Sequence, residues 1–302
     1  MKILCAVDDS DYSRLAIQSV GSVFRSAVKE IVLLHVVDSH LVYGGRKAAG
    51  AEAKSLLGLS KKIQQAGKKL LHEFAERLTV ALGPAGSMPV MKPVLVKGHV
   101  SDTIIEWSEK IGTDCVALGS RGIHDIPGYV LGSVSRKVMI HAPCSVFMVK
   151  GPIGTQPFPV LIALDGSKSS KFTARTLQAW LDPEAVSLRL VSVVPDRFTD
   201  LASEVLGKRQ VRNLLRPIQR GTRELLKDYR EKFLKTGHEV KTELLEGAPP
   251  DQILQAAERH HVGLICLGSK GLSGIERFTL GSVSEWVSTY ASQSVLVLRH
   301  EG

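Results

Sequence analysis

The chain has 302 residues, of which 44% are hydrophobic and 23% charged, with a formal net charge of +9. That composition is ordinary for a globular chain, and the length sets a prior of about two domains, each able to bury a core of its own. No apolar stretch reaches the ~20 residues of a membrane span, and Asp8 and Asp9 interrupt the first apolar run too early for a secretory signal, so a cytoplasmic protein is expected.

Apolar runs and helical periodicity alternate along the whole chain. In the first half the pattern predicts strands near 2–7, 31–37, 92–96, 114–118 and 145–149, with helices near 10–26, 60–82, 101–111 and 133–140. Glycines and prolines from Lys150 to Pro159 then interrupt regular structure and mark a linker. The second half repeats the order, with strands near 159–164, 187–193, 239–244, 263–267 and 294–298, and helices near 168–180, 200–236, 250–260 and 282–290. Five strands joined by four helical crossovers predict an α/β fold: two tandem Rossmann-like domains, residues 1–150 and 158–302, each a five-stranded parallel sheet covered by helices on both faces. In such sheets ligands bind at the carboxyl ends of the strands, where the strand order reverses.

The residues that stand out lie at those ends. Gly119-x-x-Gly122, nine residues, then Gly132-Ser133 recurs as Gly268-x-x-Gly271, nine residues, then Gly281-Ser282, every position 149 residues on. The offset also relates Gly98 and Asp102 to Gly247 and Asp251, whereas Asp8 and Asp165 are 157 apart, which puts eight extra residues in the first half, within about 39–60. Each motif follows an apolar strand and precedes an apolar-periodic helix. Glycines there admit a polyphosphate to backbone N–H groups, and the serine and the helix start add donors. Spacing repeated in register favours a phosphate cradle over two plain turns. Asp8 and Asp165, just past the first strand of each half, have two roles open to them, capping the next helix or touching a ligand. Ser133 and Ser282 have the same two.

Cys5, Cys115, Cys144 and Cys266 lie in or beside apolar strands without metal or redox spacing and read as buried structural thiols. His260 and His261 read as a solvated helix end.

These features together resemble a tandem universal stress protein over essentially the whole chain. The resemblance rests on the two glycine signatures, the Ala-Val-Asp8 and Ala-Leu-Asp165 strand ends and the Leu-Leu-His35-Val36-Val37 strand end. It implies ATP binding, with adenosine against the first-strand aspartate, adenine on the backbone of the second-strand valine, and ribose and phosphates on the glycine signature. The implied contacts are Asp8, Val36, Gly119, Gly122, Gly132 and Ser133, then Asp165, Val193, Gly268, Gly271, Gly281 and Ser282. In the second set Ser192 and Pro195 depart from the His-Val pattern. The resemblance further implies pairing of terminal strands, giving an intrachain pseudo-dimer of the two domains; whether chains form a homodimer stays open.

No Gly-x4-Gly-Lys-Ser/Thr loop and no kinase catalytic loop is present. The expectation is therefore a nucleotide-dependent stress-response sensor with little or no turnover, Mg2+ entering with the phosphates of ATP. A slow ATPase or phosphotransferase is the alternative. Arg209, Arg212, Arg216, Arg220, Arg223, Lys227 and Arg230 recur at helical spacing and read first as a solvated basic face, with docking to an acidic protein partner or to nucleic acid as the alternatives. Against such a surface stand Pro217, which interrupts a helix, and Glu224, Asp228 and Glu231, which are placed to neutralise the stripe locally. With no zinc-finger or RNA-binding signature, a nucleic-acid partner is not expected.

Overall fold

The computed structural model describes residues 1–38, 51–83, 88–122, 131–195, 208–271 and 280–300. The chain divides into two compact units, Met1–Lys150 and Gly151–Gly302. The first runs β1 (Lys2–Ala6), α1 (Asp11–Phe24), β2 (Glu30–Asp38), α2 (Ala51–Leu82), β3 (Val90–Gly98), α3 (Val100–Lys110), β4 (Cys115–Gly119), α4 (Ser133–His141) and β5 (Ser145–Val149). Its strands lie in the order β3-β2-β1-β4-β5, and every pairing is parallel. The second runs β6 (Phe158–Ala163), α5 (Lys168–Trp180), β7 (Val186–Val194), α6 (Lys208–Lys235), β8 (Glu239–Glu246), α7 (Pro249–Arg259), β9 (Leu264–Gly268), α8 (Ser282–Tyr290) and β10 (Ser294–Leu298). Its order is β8-β7-β6-β9-β10, again parallel throughout.

Helices on both faces explain why the central strands are apolar at nearly every position rather than at alternate ones. All five residues of β4 and of β5 are buried. Helix α1 adds Ile17, Val20, Val23 and Phe24, and the Phe24 ring meets Phe147 of β5 edge-on at 5.3 Å between centroids. Helix α2 buries Leu71, Phe74, Leu78 and Leu82, one face of a helix, and α6 repeats the row as Leu226, Tyr229 and Phe233. Each such side chain contributes about 1.5–3 kcal/mol of transfer free energy. Cys5, Cys115, Cys144 and Cys266 are free and buried, and burial pushes the Cys5 thiol up to about 12.

Two helices differ from their sequence patterns. Helix α2 begins at Ala51, not near 60, while 39–50 lie outside the described residues. Helix α6 runs unbroken through Pro217. Proline removes the N–H that would bond Asn213, but both residues are exposed, so water can take the carbonyl. The expected start near 200 lies outside the described residues. No described helix is long and apolar enough to cross a membrane.

Gly21 shows how tightly α1 and α2 approach: a Cβ there would stand 2.6 Å from Ala81 Cβ and 2.9 Å from its carbonyl carbon. Backbone cannot yield as a flexible side chain does. Gly21→Val should therefore destabilise the first unit by about 1–3 kcal/mol, read as a lower urea midpoint; an unchanged midpoint would show that the two helices separate freely.

Candidate functional site

In the first unit, chain direction diverges at the neighbours β1 and β4, one leading outward to β2 and the other to β5, which opens a crevice at their carboxyl ends. A cavity of about 450 Å³ lies there. Asp8, Val36, Gly119, Gly122 and Ser133 all line it, together with His35, Ile63, Val100, Ile104, Arg121 and Ser135. Gly132 does not line it but caps the helix that does.

Asp8 is not the cap of α1. That cap is Ser10, whose Oγ accepts the Ser13 N–H at 3.1 Å. The Asp8 carboxylate is instead held by the cap: Oδ1 accepts Ser10 Oγ–H at 2.5 Å and Ser13 Oγ–H at 2.7 Å, while the Asp8 N–H donates to Ser13 Oγ at 3.0 Å. Its Oδ2 lies toward Gly122, where an added Cβ would stand 2.9 Å away. The second unit repeats the arrangement. Ser167 caps α5, Asp165 Oδ1 accepts the Ser167 N–H at 3.0 Å, and a Cβ at Gly271 would stand 3.1 Å from Asp165 Oδ2.

The first glycine of each motif answers to packing. A Cβ at Gly119 would stand 2.6 Å from Tyr12 Cβ and 2.8 Å from its backbone carbonyl carbon, and one at Gly268 would collide with Ser169 Oγ. Lacking side chains, the ends of β4 and β9 let the first turns of α1 and α5 close on them. Beyond the strand, Ser120 N–H donates to Val149 O at 2.8 Å and Gly132 N–H to Ser120 O at 2.9 Å; Ser269 and Gly281 make the matching bonds, each at 2.8 Å. Residues 123–130 and 272–279 of the motifs lie outside the described residues.

Gly132 and Gly281 are the N-caps of α4 and α8, so Ser133 and Ser282 are first helical residues rather than caps. A glycine cap offers no side-chain acceptor, and His99, the N-cap of α3, makes no side-chain cap bond either. Two helix starts, at Val100 and at Ser133–Ser135, thus line one cavity with backbone N–H groups and the positive ends of their dipoles. In α3, Asp102 bonds Lys137 Nζ at 2.5 Å, which holds its exposed carboxyl below the usual range. Ser135 Oγ–H donates to Gly119 O at 2.7 Å, and Ser284 Oγ–H to Gly268 O at the same distance, tying helix start to strand end.

At the opposite end of the cavity, Val36 pairs with Val96 in register and is buried. His35 Nδ1 lies 2.8 Å from Val7 O, and Gly67 of α2 lets the helix close on the ring: a Cβ there would be 2.9 Å from His35 Cδ2. In the second unit Val193 pairs with Leu245, and Ser192, in the place of His35, is buried. Tyr229 adds a phenol to that unit, its OH 3.3 Å from Ser170 Oγ; burial raises its pKa and the Asp165 charge adds to the rise. Arg121 lies over the Tyr12 ring at 5.9 Å, and Lys150 is pushed down to about 8, first by burial and then by Arg121.

Sequence patterns left out Ser13 and Tyr229 and did not separate Ser10 or Ser135 from their neighbours, because these roles depend on partners distant along the chain or on competition among adjacent capping residues. His260 is no solvated terminus: its Nε2 lies 2.8 Å from Glu243 Oε2, on a carboxylate also met by Arg259 and Arg189. Among the described residues no group of three or more His, Cys, Asp or Glu is placed to hold a metal ion.

The profile of the Universal stress protein family matches residues 1–150 and again residues 158–299. The chain belongs to the universal stress protein family. Universal stress protein Rv2623 of Mycobacterium tuberculosis is 22% identical over 318 aligned positions, covering 98% of this chain and 96% of the relative. Universal stress protein MJ0531 of Methanocaldococcus jannaschii is 32% identical over 143 positions, 46% of this chain and 81% of the relative. The crystal structure of a universal stress protein from Archaeoglobus fulgidus superposes with a TM-score of 0.67 at 21% identity, over 99% of this chain and 96% of that one, so the Rossmann-like tandem fold is shared.

The serine ties are open to direct test. Ser135→Ala and Ser284→Ala each leave a strand-end carbonyl without its hydroxyl donor and should destabilise the corresponding unit by about 1–2 kcal/mol, seen in denaturant melts; unchanged melts would mean water replaces the hydroxyl without loss.

Proposed function

We propose that each unit binds ATP at the carboxyl edge of its sheet, and that the protein is a nucleotide-dependent stress-response regulator with little or no turnover. The observation that carries this reading is the convergence of Asp8, Val36, Gly119, Gly122 and Ser133 on one cavity. On this reading adenine lies against the end of β2, its edge bonding the Val36 backbone, which leaves Asp8 to meet the sugar. Phosphates lie where Gly122 has no Cβ and where α3 and α4 start, since a helix start without a side-chain acceptor suits an anion. Ser133 contributes a hydroxyl. In the second unit Asp165, Val193, Gly268, Gly271, Gly281 and Ser282 take the same parts. Magnesium comes with the phosphates, which supply its oxygen ligands. Turnover would require a residue free to orient the attacking group, a carboxylate or an amide. The Asp8 carboxylate is engaged instead with the Ser10 and Ser13 hydroxyls.

Mass spectrometry of nucleotide released on denaturing freshly purified protein should find about two ATP per chain. Gly122→Val and Gly271→Val should each lose about one, because the new side chain enters the space beside Asp8 or Asp165. Absence of nucleotide, together with no binding on adding ATP and Mg2+, would overturn the reading.

A further inference from the structure

Helix α6 carries ten basic and three acidic side chains, a net of seven of the chain's nine excess positive charges in 28 residues. Both features that argued against a basic surface there are absent from the folded helix. Pro217 does not interrupt it. Glu224, Asp228 and Glu231 stand beside the row without closing on it: among the described residues no ion pair engages Arg216, Arg220, Arg223 or Lys227, and Arg230 spends its Nε–H on Val240 O at 3.4 Å. Helix α2, at the same place in the first unit, behaves differently and pairs Arg77 with Glu73 at 2.9 Å and His72 with Glu76 at 3.3 Å.

Successive helical residues turn by about 100° and rise about 1.5 Å. Arg216, Arg220, Arg223, Lys227 and Arg230 therefore share an arc of about 80° and extend over about 21 Å. All five are exposed, while the helix buries Leu226, Tyr229 and Phe233 on a different arc. Like charges held in a row repel one another, and a row without carboxylate partners suits a polyanion as regular as itself.

We infer that the outer face of α6 is a docking surface for the phosphate backbone of double-stranded nucleic acid, bound without regard to sequence. A duplex carries one charge per about 1.7 Å, so about a dozen phosphates pass along a row of this length. Four of the five cations are guanidiniums, which bond phosphate oxygens in a bidentate fork. A protein partner would need a desolvated anchor at the centre of the contact, and from Arg216 to Arg230 the arc carries only long cationic side chains, exposed Leu234 lying one turn beyond, at the end of the row. Guanidiniums engaged with phosphate oxygens read no base edge, which makes the contact indifferent to sequence.

Fluorescence anisotropy of the full chain with a mixed-sequence 25-base-pair DNA duplex, over a series of salt concentrations, tests this inference. Binding should be measurable at about 50 mM salt, with log K falling against log salt at a slope of about −4, as four to five phosphate contacts require. Replacing Arg216, Arg220 and Arg223 together by Gln should weaken binding at least about tenfold and reduce the slope by about 3, while leaving the thermal melt in place because all three are exposed. Replacing Lys61 and Lys62 of α2 by Gln should change neither affinity nor slope. Absence of binding at about 50 mM salt, or binding that survives the triple substitution, would overturn the inference. So would competition by polyglutamate or anionic lipid vesicles as effective as that by duplex, which would assign the face to an acidic protein or to a membrane.

Discussion

Where the fourth strand of each unit ends there is no room for a Cβ, and the crevice is built around that restriction. Gly119 and Gly268 let the first turns of α1 and α5 lie directly on the strand end. That contact fixes the loop after the first strand and, with it, Asp8 and Asp165. One turn later Gly122 and Gly271 leave the space beside those carboxylates open. Ser135 and Ser284 complete the arrangement by tying the following helix to the same strand-end carbonyl. Two glycines of one motif thus have different physical tasks, the first in packing and the second in keeping space beside a carboxylate. A phosphate site requires both, because N–H donors serve an anion only when the backbone that carries them is held still.

The two units share this frame and diverge around it. His35, locked between Val7 O and the face of α2, becomes buried Ser192. The buried Phe74 in the row of α2 becomes Tyr229 in the row of α6, whose hydroxyl reaches Ser170 in the first turn of α5. The outer helices differ as well, since α2 pairs its charges along the helix and α6 leaves its arginines exposed. Divergence is thus concentrated at the second-strand side of the crevice and on the long outer helix, while the strand-end glycines and serines are kept.

Much of this was legible in the sequence, for definable reasons. Strands buried on both faces write themselves as unbroken apolar runs, so β5 and β10 fall at their expected residues, and the other strands differ by one or two at an end. The repeated glycine spacing located the crevice because backbone closeness permits few substitutes. Helix α2 was harder: Gly58 sits inside it in open space, where it costs some helix propensity and clashes with nothing. In Asp8-Asp9-Ser10 any of three residues suits an N-cap, and only the fold decides that Ser10 takes the role and Asp8 is held by it. Ser135 was hidden for a further reason, because its partner, the Gly119 carbonyl, is 16 residues away. Pro217 shows the limit of a local rule, since the penalty for a proline falls when the carbonyl it abandons faces water.

On the function proposed above, nucleotide binds at the strand-end edge of the first unit. Hydrogen–deuterium exchange with and without ATP and Mg2+ tests it most directly. Nucleotide should slow exchange at the ends of β1 and β2, around Asp8 and Val36, and at Gly119–Gly122 and Ser133–Ser135, leaving the amino ends of the same strands unchanged. Protection confined to other surfaces, or no protection at saturating nucleotide, would contradict it.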